Sequence, residues 1–164
     1  MSKQVNTKAL VVYGYGVEFL LAGLVFVLLW HRGWLAAVSK FADDSAASWA
    51  TFFGVMLAGA MAARLVFFSL NSGDFSAWLE WKKIGGVISG VFLFNLLLFL
   101  VVVATSVVLI YVKGTWLTNL GVMVGILGLI NSATFPVLVY RLSRLQAVFN
   151  FELKKAMEAE KGKN

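Results

Sequence analysis

Apolar residues fill four long stretches of the chain, 9–30, 49–70, 84–112 and 115–140, and polar residues gather between them. A helix needs about 20 apolar residues to span hydrocarbon, so each stretch is long enough to cross a bilayer once and none is long enough to cross twice. Backbone amides left unpaired in lipid cost several kcal/mol each, which restricts spans to helices or closed barrels. Barrel strands need only about 9–11 residues, far fewer than these runs. The pattern predicts an all-α integral membrane protein, one domain built as a four-transmembrane-helix bundle.

The segments between the stretches carry patterns of their own. In 33–42, Trp34, Leu35, Val38 and Phe41 recur at helical spacing beside Lys40, which predicts a short helix lying in the membrane interface. Asp74 is placed to cap a second short helix through Trp78, Leu79 and Trp81, ended by Lys82 and Lys83. The fourth stretch does not stop at Pro136. Leu138, Leu142, Leu145, Phe149, Leu153 and Met157 repeat every three or four residues, with Arg141, Arg144, Asn150, Lys154 and Glu158 opposite. This predicts an amphipathic cytoplasmic helix extending into the tail 141–164. Over 141–158 it offers a face to the inner leaflet, a neighbouring subunit or a cytoplasmic partner. The last residues, Glu160 to Asn164, read as unstructured.

Composition agrees with a lipid solvent. Hydrophobic residues make up 60%, charged residues 13%, and mean hydropathy is +0.85, against roughly 45–50% apolar and 25% charged in soluble domains. The charges are unevenly placed. Lys3, Lys8, Lys82, Lys83, Arg141, Arg144, Lys154, Lys155, Lys161 and Lys163 fall on one side of a four-span topology; Arg32, Lys40 and Lys113 fall on the other. Cationic loops stay in the cytoplasm, which places both termini inside a bacterial-type inner membrane and makes the first stretch a retained signal anchor. The net charge of +6 is then a topology signal and points to the lipid bilayer, not to nucleic acid. Cysteine is absent and His31 is the only histidine, which excludes disulfides, thiolate chemistry, and haem or zinc clusters within the chain. No phosphate-binding loop, nucleophile elbow or metal-binding pair occurs, so neither a cofactor, a metal site nor catalysis is expected.

Helices in lipid associate through close backbone approach at small residues. In the fourth stretch Gly114, Thr118, Gly121, Gly125, Gly128 and Ser132 fall on one stripe at spacings of four and three. Shorter grooves are Gly54, Ala58 and Ala62 in the second stretch, Gly86 and Gly90 in the third, and Ala9, Gly16 and Gly23 in the first. A small-residue face on every span exceeds what one bundle requires. It predicts a homo-oligomer or a subunit among other membrane subunits, with the fourth span as the contact.

Each stretch also carries a polar residue: Glu18, Arg64, Asn95 and Asn131. Counted from the cytoplasmic edges at 1.5 Å per residue, their depths are roughly 14, 9, 16 and 14 Å. A lone charge at the centre of a span costs about 2.5–3.5 kcal/mol, so Glu18 and Arg64 are expected to form an ion pair, with Asn95 and Asn131 completing a polar layer. Alternatively, Glu18 without a close cation carries a proton or binds a cation, or one of the two charges lines a pore. A four-span outline with Glu18 in the first span resembles the small multidrug resistance transporters, which implies proton coupling at Glu18. This chain departs from that outline in its length, in Arg64 and in its amphipathic tail. The sequence thus supports a non-catalytic oligomeric membrane protein, a channel-forming or assembly subunit of an inner-membrane transport or secretion complex. The alternative is a small proton-coupled transporter.

Overall fold

The computed structural model describes residues 7–69 and 73–161. It contains α1 (Thr7–His31), α2 (Leu35–Asp44), α3 (Ala46–Ser69), α4 (Gly73–Trp81), α5 (Gly85–Tyr111) and α6 (Thr115–Lys161), with no strand among the described residues. Three helices, α3, α5 and α6, are long and apolar enough to cross a membrane. The pair α1–α2, bent by 112° at the break between them, makes up to a fourth span. The protein is therefore an all-helical, multi-pass membrane protein.

Two tight turns set the ends of α1 and α4. At Gly33 (φ 70°) the amide of Gly33 donates to the carbonyl of Trp30 and that of Trp34 to Leu29, the paired closure that a left-handed residue permits after a helix. Lys83 (φ 57°) makes the same turn after α4, with Lys83 donating to Glu80 and Ile84 to Leu79. Asp74 lies inside the first turn of α4 and not ahead of it. There its charge suits the helix N-terminus, while the residue before Gly73 lies outside the described residues.

The two short helices sit at opposite ends of the bundle. Asp43 of α2 pairs with Lys113 (2.7 Å), and Ser39 donates to Asn119 (2.9 Å), tying α2 to the start of α6. At the other end Phe75 and Trp78 of α4 pack on Phe149 at ring distances of 5.1 and 5.7 Å, and the Trp78 indole donates to Glu152 (2.8 Å). At 47 residues, α6 is about 70 Å long, more than a bilayer of about 40–45 Å including headgroups. It therefore runs past the membrane to meet α4. The amphipathic extension is present: its Leu142, Leu145 and Phe149 join the core, with α4 of the same chain packed on Phe149, while Leu153 and Met157 are exposed. Helix continues through Glu160 to Lys161, where no order was expected; 162–164 lie outside the described residues.

Between those ends α5 is the central helix, touching α1, α3, α4 and α6. Its buried residues Phe92, Asn95, Phe99, Val102, Ser106 and Leu109 follow the three-and-four spacing of one face. Phe53 of α3 meets Phe99 (6.3 Å), and Phe135 of α6 meets both Phe92 and Phe99. The small-residue stripe of α6, expected as the subunit contact, is filled from within the chain at Gly121, Gly125 and Gly128. A Cβ at Gly121 would lie 2.5 Å from Leu109. One at Gly125 would collide with the Trp49 ring, and one at Gly128 would lie 2.8 Å from Phe53. Thr118 and Ser132 turn their hydroxyls back onto the carbonyls of Gly114 and Gly128. By contrast a Cβ at Gly16, Gly23, Gly54, Gly86, Gly90 or Gly114 would meet nothing within 4 Å.

Overpacking a filled seam costs about 1–3 kcal/mol. Gly125→Leu should therefore lower the melting temperature in detergent, while Gly90→Leu, at an open position of α5, leaves it unchanged; equal effects at both positions would contradict this packing.

Candidate functional site

The apolar faces of α1, α5 and α6 enclose a cleft of about 420 Å³ lined by Tyr15, Glu18, Val91, Asn95, Asn131, Thr134 and Arg141 among others. Glu18 is its only acidic lining residue. One carboxyl oxygen accepts from the Asn131 amide (Nδ2 to Oε2, 3.1 Å) and the other from the Thr134 hydroxyl (Oγ1 to Oε1, 2.8 Å). Asn131 and Thr134 are three residues apart on α6, so they present side by side to α1. The side wall is polar as well. Asn95 donates to its own helix at the Val91 carbonyl (2.7 Å) and, at 3.4 Å, to the hydroxyl of Tyr15, which itself donates to the Val91 carbonyl (3.2 Å). The Tyr15 ring lies against Phe94, centroids 3.9 Å apart.

Of the four intramembrane polar residues singled out in the sequence, the structure brings Glu18, Asn95 and Asn131 to this one cleft. Arg64 is elsewhere. It lines a separate cleft with Met61, Leu65 and Leu96, on a helix that packs chiefly on α5, whereas α1 rests on α5 and α6. The carboxyl of Glu18 is thus held by neutral donors of α6, and the expected Glu18–Arg64 contact is not part of this site. Tyr15, Thr134 and Arg141 are additions that sequence reasoning missed. Tyr15 and Thr134 each lie three residues from a residue already singled out, so a search one helical turn either side of Glu18 and Asn131 finds them.

The cleft is one-sided. Its walls run from Glu18 back to Tyr15, from Asn95 back to Val91 and from Asn131 forward to Arg141, all toward the end where α4 sits. Arg141 stands about 10 Å beyond Thr134 along α6. In the opposite direction, one turn past each polar residue, Ala22 (1% exposed), Phe99 (0%) and Leu127 (7%) are sealed into the core. The arrangement is a cleft whose lining extends from Glu18 toward the α4 end, with Ala22, Phe99 and Leu127 packed one turn beyond its polar residues on the other side. Among the described residues no three His, Asp or Glu side chains gather, so the donor set is carboxyl, amide and hydroxyl.

Compared with protein-family models, with curated proteins and with solved structures, the chain matches none.

If Glu18 answers to α6 and not to α3, exchanging the two charges restores nothing. The variant Glu18→Arg/Arg64→Glu should melt no higher than Glu18→Arg alone; recovery toward the parent temperature would place the two side chains together.

Proposed function

We propose that the protein is a small ion-coupled membrane carrier in which Glu18 carries a proton or another monovalent cation. The observation that supports this reading is the cleft at Glu18, whose lining reaches Val91 and Arg141 on one side and ends at the buried Ala22, Phe99 and Leu127 on the other. A carrier that alternates access needs a site near the middle of the membrane reached from one face at a time. Counted along α6, Asn131 is about 18 Å from Asn119, which holds α2, and about 27 Å from Phe149, which holds α4. Pro136 lies one turn past the site. Lacking an N–H, it withholds the helical donor from the Ser132 carbonyl and gives α6 a point at which to bend.

In this reading α1 spans the membrane by itself. Its 25 residues exceed the roughly 20 required, and α2 lies along the interface at its far end. That gives four spans, with both termini, α4 and the mouth of the crevice on the cytoplasmic side of a bacterial-type inner membrane. The surplus of Lys and Arg on the segments that flank that side supports the orientation. No step of covalent chemistry is assigned.

A second reading is kept by a separate observation. On α3 the glycines Gly54 and Gly59 have no neighbour within 4 Å of an added Cβ, and Ala58 and Ala62 beside them are exposed. A smooth, uncovered helix face of this kind suits a homo-oligomer or an assembly subunit of a larger transport or secretion complex. Oligomerisation through α3 would leave the crevice unobstructed, so the two readings are compatible.

Because the chain has no cysteine, single cysteines report access cleanly. Ala133→Cys in the crevice should react with a membrane-impermeant maleimide in inside-out vesicles and not in right-side-out vesicles. Ala22→Cys should react in neither. An Ala133→Cys thiol silent in both preparations would show a crevice without water and end the carrier reading.

A further inference from the structure

The hydrogen bonding around Glu18 does not close. Asn131 is 1% exposed, and with its amide nitrogen turned to Glu18 its side-chain oxygen is buried with no hydrogen-bond partner. Thr134 lies within reach of two acceptors, Glu18 Oε1 at 2.8 Å and the main-chain carbonyl of Asn131 at 3.1 Å, yet a hydroxyl owns a single hydrogen. Within a few ångströms lie two carboxyl oxygens, a hydroxyl oxygen and an orphaned amide oxygen, with only neutral donors facing the carboxylate. A buried acceptor left without a hydrogen is costly. On the side wall the Asn95 amide and the Tyr15 hydroxyl both find the Val91 carbonyl.

We infer that Glu18, Asn131 and Thr134 form a binding site for a monovalent inorganic cation, sodium in the first place. The inference rests on the carrier reading only in identifying which ion Glu18 takes up. Hard cations are held by oxygen ligands of these kinds, and coupling ions in carriers sit near the membrane midplane, where main-chain carbonyls join the side chains. A cation seated between the three residues draws the carboxyl and hydroxyl oxygens directly. Rotation of the Asn131 amide about its Cβ–Cγ bond brings the orphaned oxygen onto it. Charge sets the valence. One carboxylate balances one positive charge, whereas a divalent ion would leave a net charge stranded in low dielectric. A bare proton satisfies a single acceptor and leaves the remaining oxygens as they are. Arg141, which also lines the cleft, stands about 10 Å from Thr134 along the helix and is exposed.

The test is binding of radioactive sodium to the purified full chain in detergent, with potassium and choline as competitors at constant ionic strength. Sodium should bind saturably, displaced by unlabelled sodium and not by choline, and it should raise the melting temperature more than either competitor does. Thr134→Val changes an exposed wall residue and should keep the fold while weakening sodium binding about tenfold, the effect of one lost ligand at about 1.4 kcal/mol. Asn131→Leu and Glu18→Gln should abolish binding. Absence of saturable sodium binding in the parent protein would overturn the site. With Ala133→Cys still labelled from the inside, the carrier reading would then stand with a proton as its ion. Sodium binding that survives unchanged in Thr134→Val and Asn131→Leu would equally overturn it. Sodium binding by these residues alongside an unreactive Ala133→Cys would support the ion site and remove the carrier.

Discussion

A carboxyl drawn partly out of water must be solvated by the protein around it. Half-buried on α1, Glu18 makes this demand of the helices beside it. Asn131 and Thr134 meet it from α6, and they can do so because α6 presents two different faces. Gly121, Gly125 and Gly128 press against Leu109, Trp49 and Phe53 on α5 and α3. Asn131, Thr134, Leu138 and Arg141 lie about a third of a turn around the helix from that seam, which turns them toward α1. The glycine seam and the polar site are thus two consequences of one helix orientation, the first holding α6 at close range and the second spending its remaining face on Glu18.

The rest of the architecture fixes that orientation at both ends. The Asp43–Lys113 and Ser39–Asn119 contacts hold the start of α6 under α2, and the Phe75, Trp78 and Phe149 cluster with the Trp78–Glu152 hydrogen bond holds its far end on α4. Between the clamps lies Pro136, where the helix lacks one rung of its hydrogen-bond ladder. A long helix secured at its ends and weakened near its middle concentrates bending beside the crevice. The packed aromatic layer of Phe53, Phe99 and Phe135 on the closed side resists it.

Helix positions were legible in the sequence because a bilayer imposes a length and a polarity on every span. The stretches 84–112 and 115–140, and the amphipathic spacing from Leu138 to Met157, correspond to α5 and α6, and the interface patterns around Trp34 and Trp78 correspond to α2 and α4. Which helix faces which was not legible. Depth along a span follows from counting residues, but azimuth around the bundle depends on packing, so Glu18 and Arg64 at comparable depths read as partners although α1 rests on α5 and α6. The stripe from Gly114 to Ser132 was visible for the same reason, and its partner was not. Small residues announce a close approach without saying whether the approaching surface belongs to this chain, and here Trp49, Phe53, Val102 and Leu109 supply it. Thr134 went unread because a hydroxyl in a helix ordinarily bonds its own backbone, and the Asn131 carbonyl lies within its reach here as well.

The account stands on Glu18 being held by α6, and a double-mutant cycle in thermal unfolding measures that contact most directly. Glu18→Leu, Asn131→Leu and the double variant should show a coupling energy of about 1 kcal/mol between the two positions, in the range of interhelical hydrogen bonds in membranes. Strictly additive losses would mean that Asn131 does not solvate Glu18, and would contradict the arrangement from which the carrier reading and the cation site are both drawn.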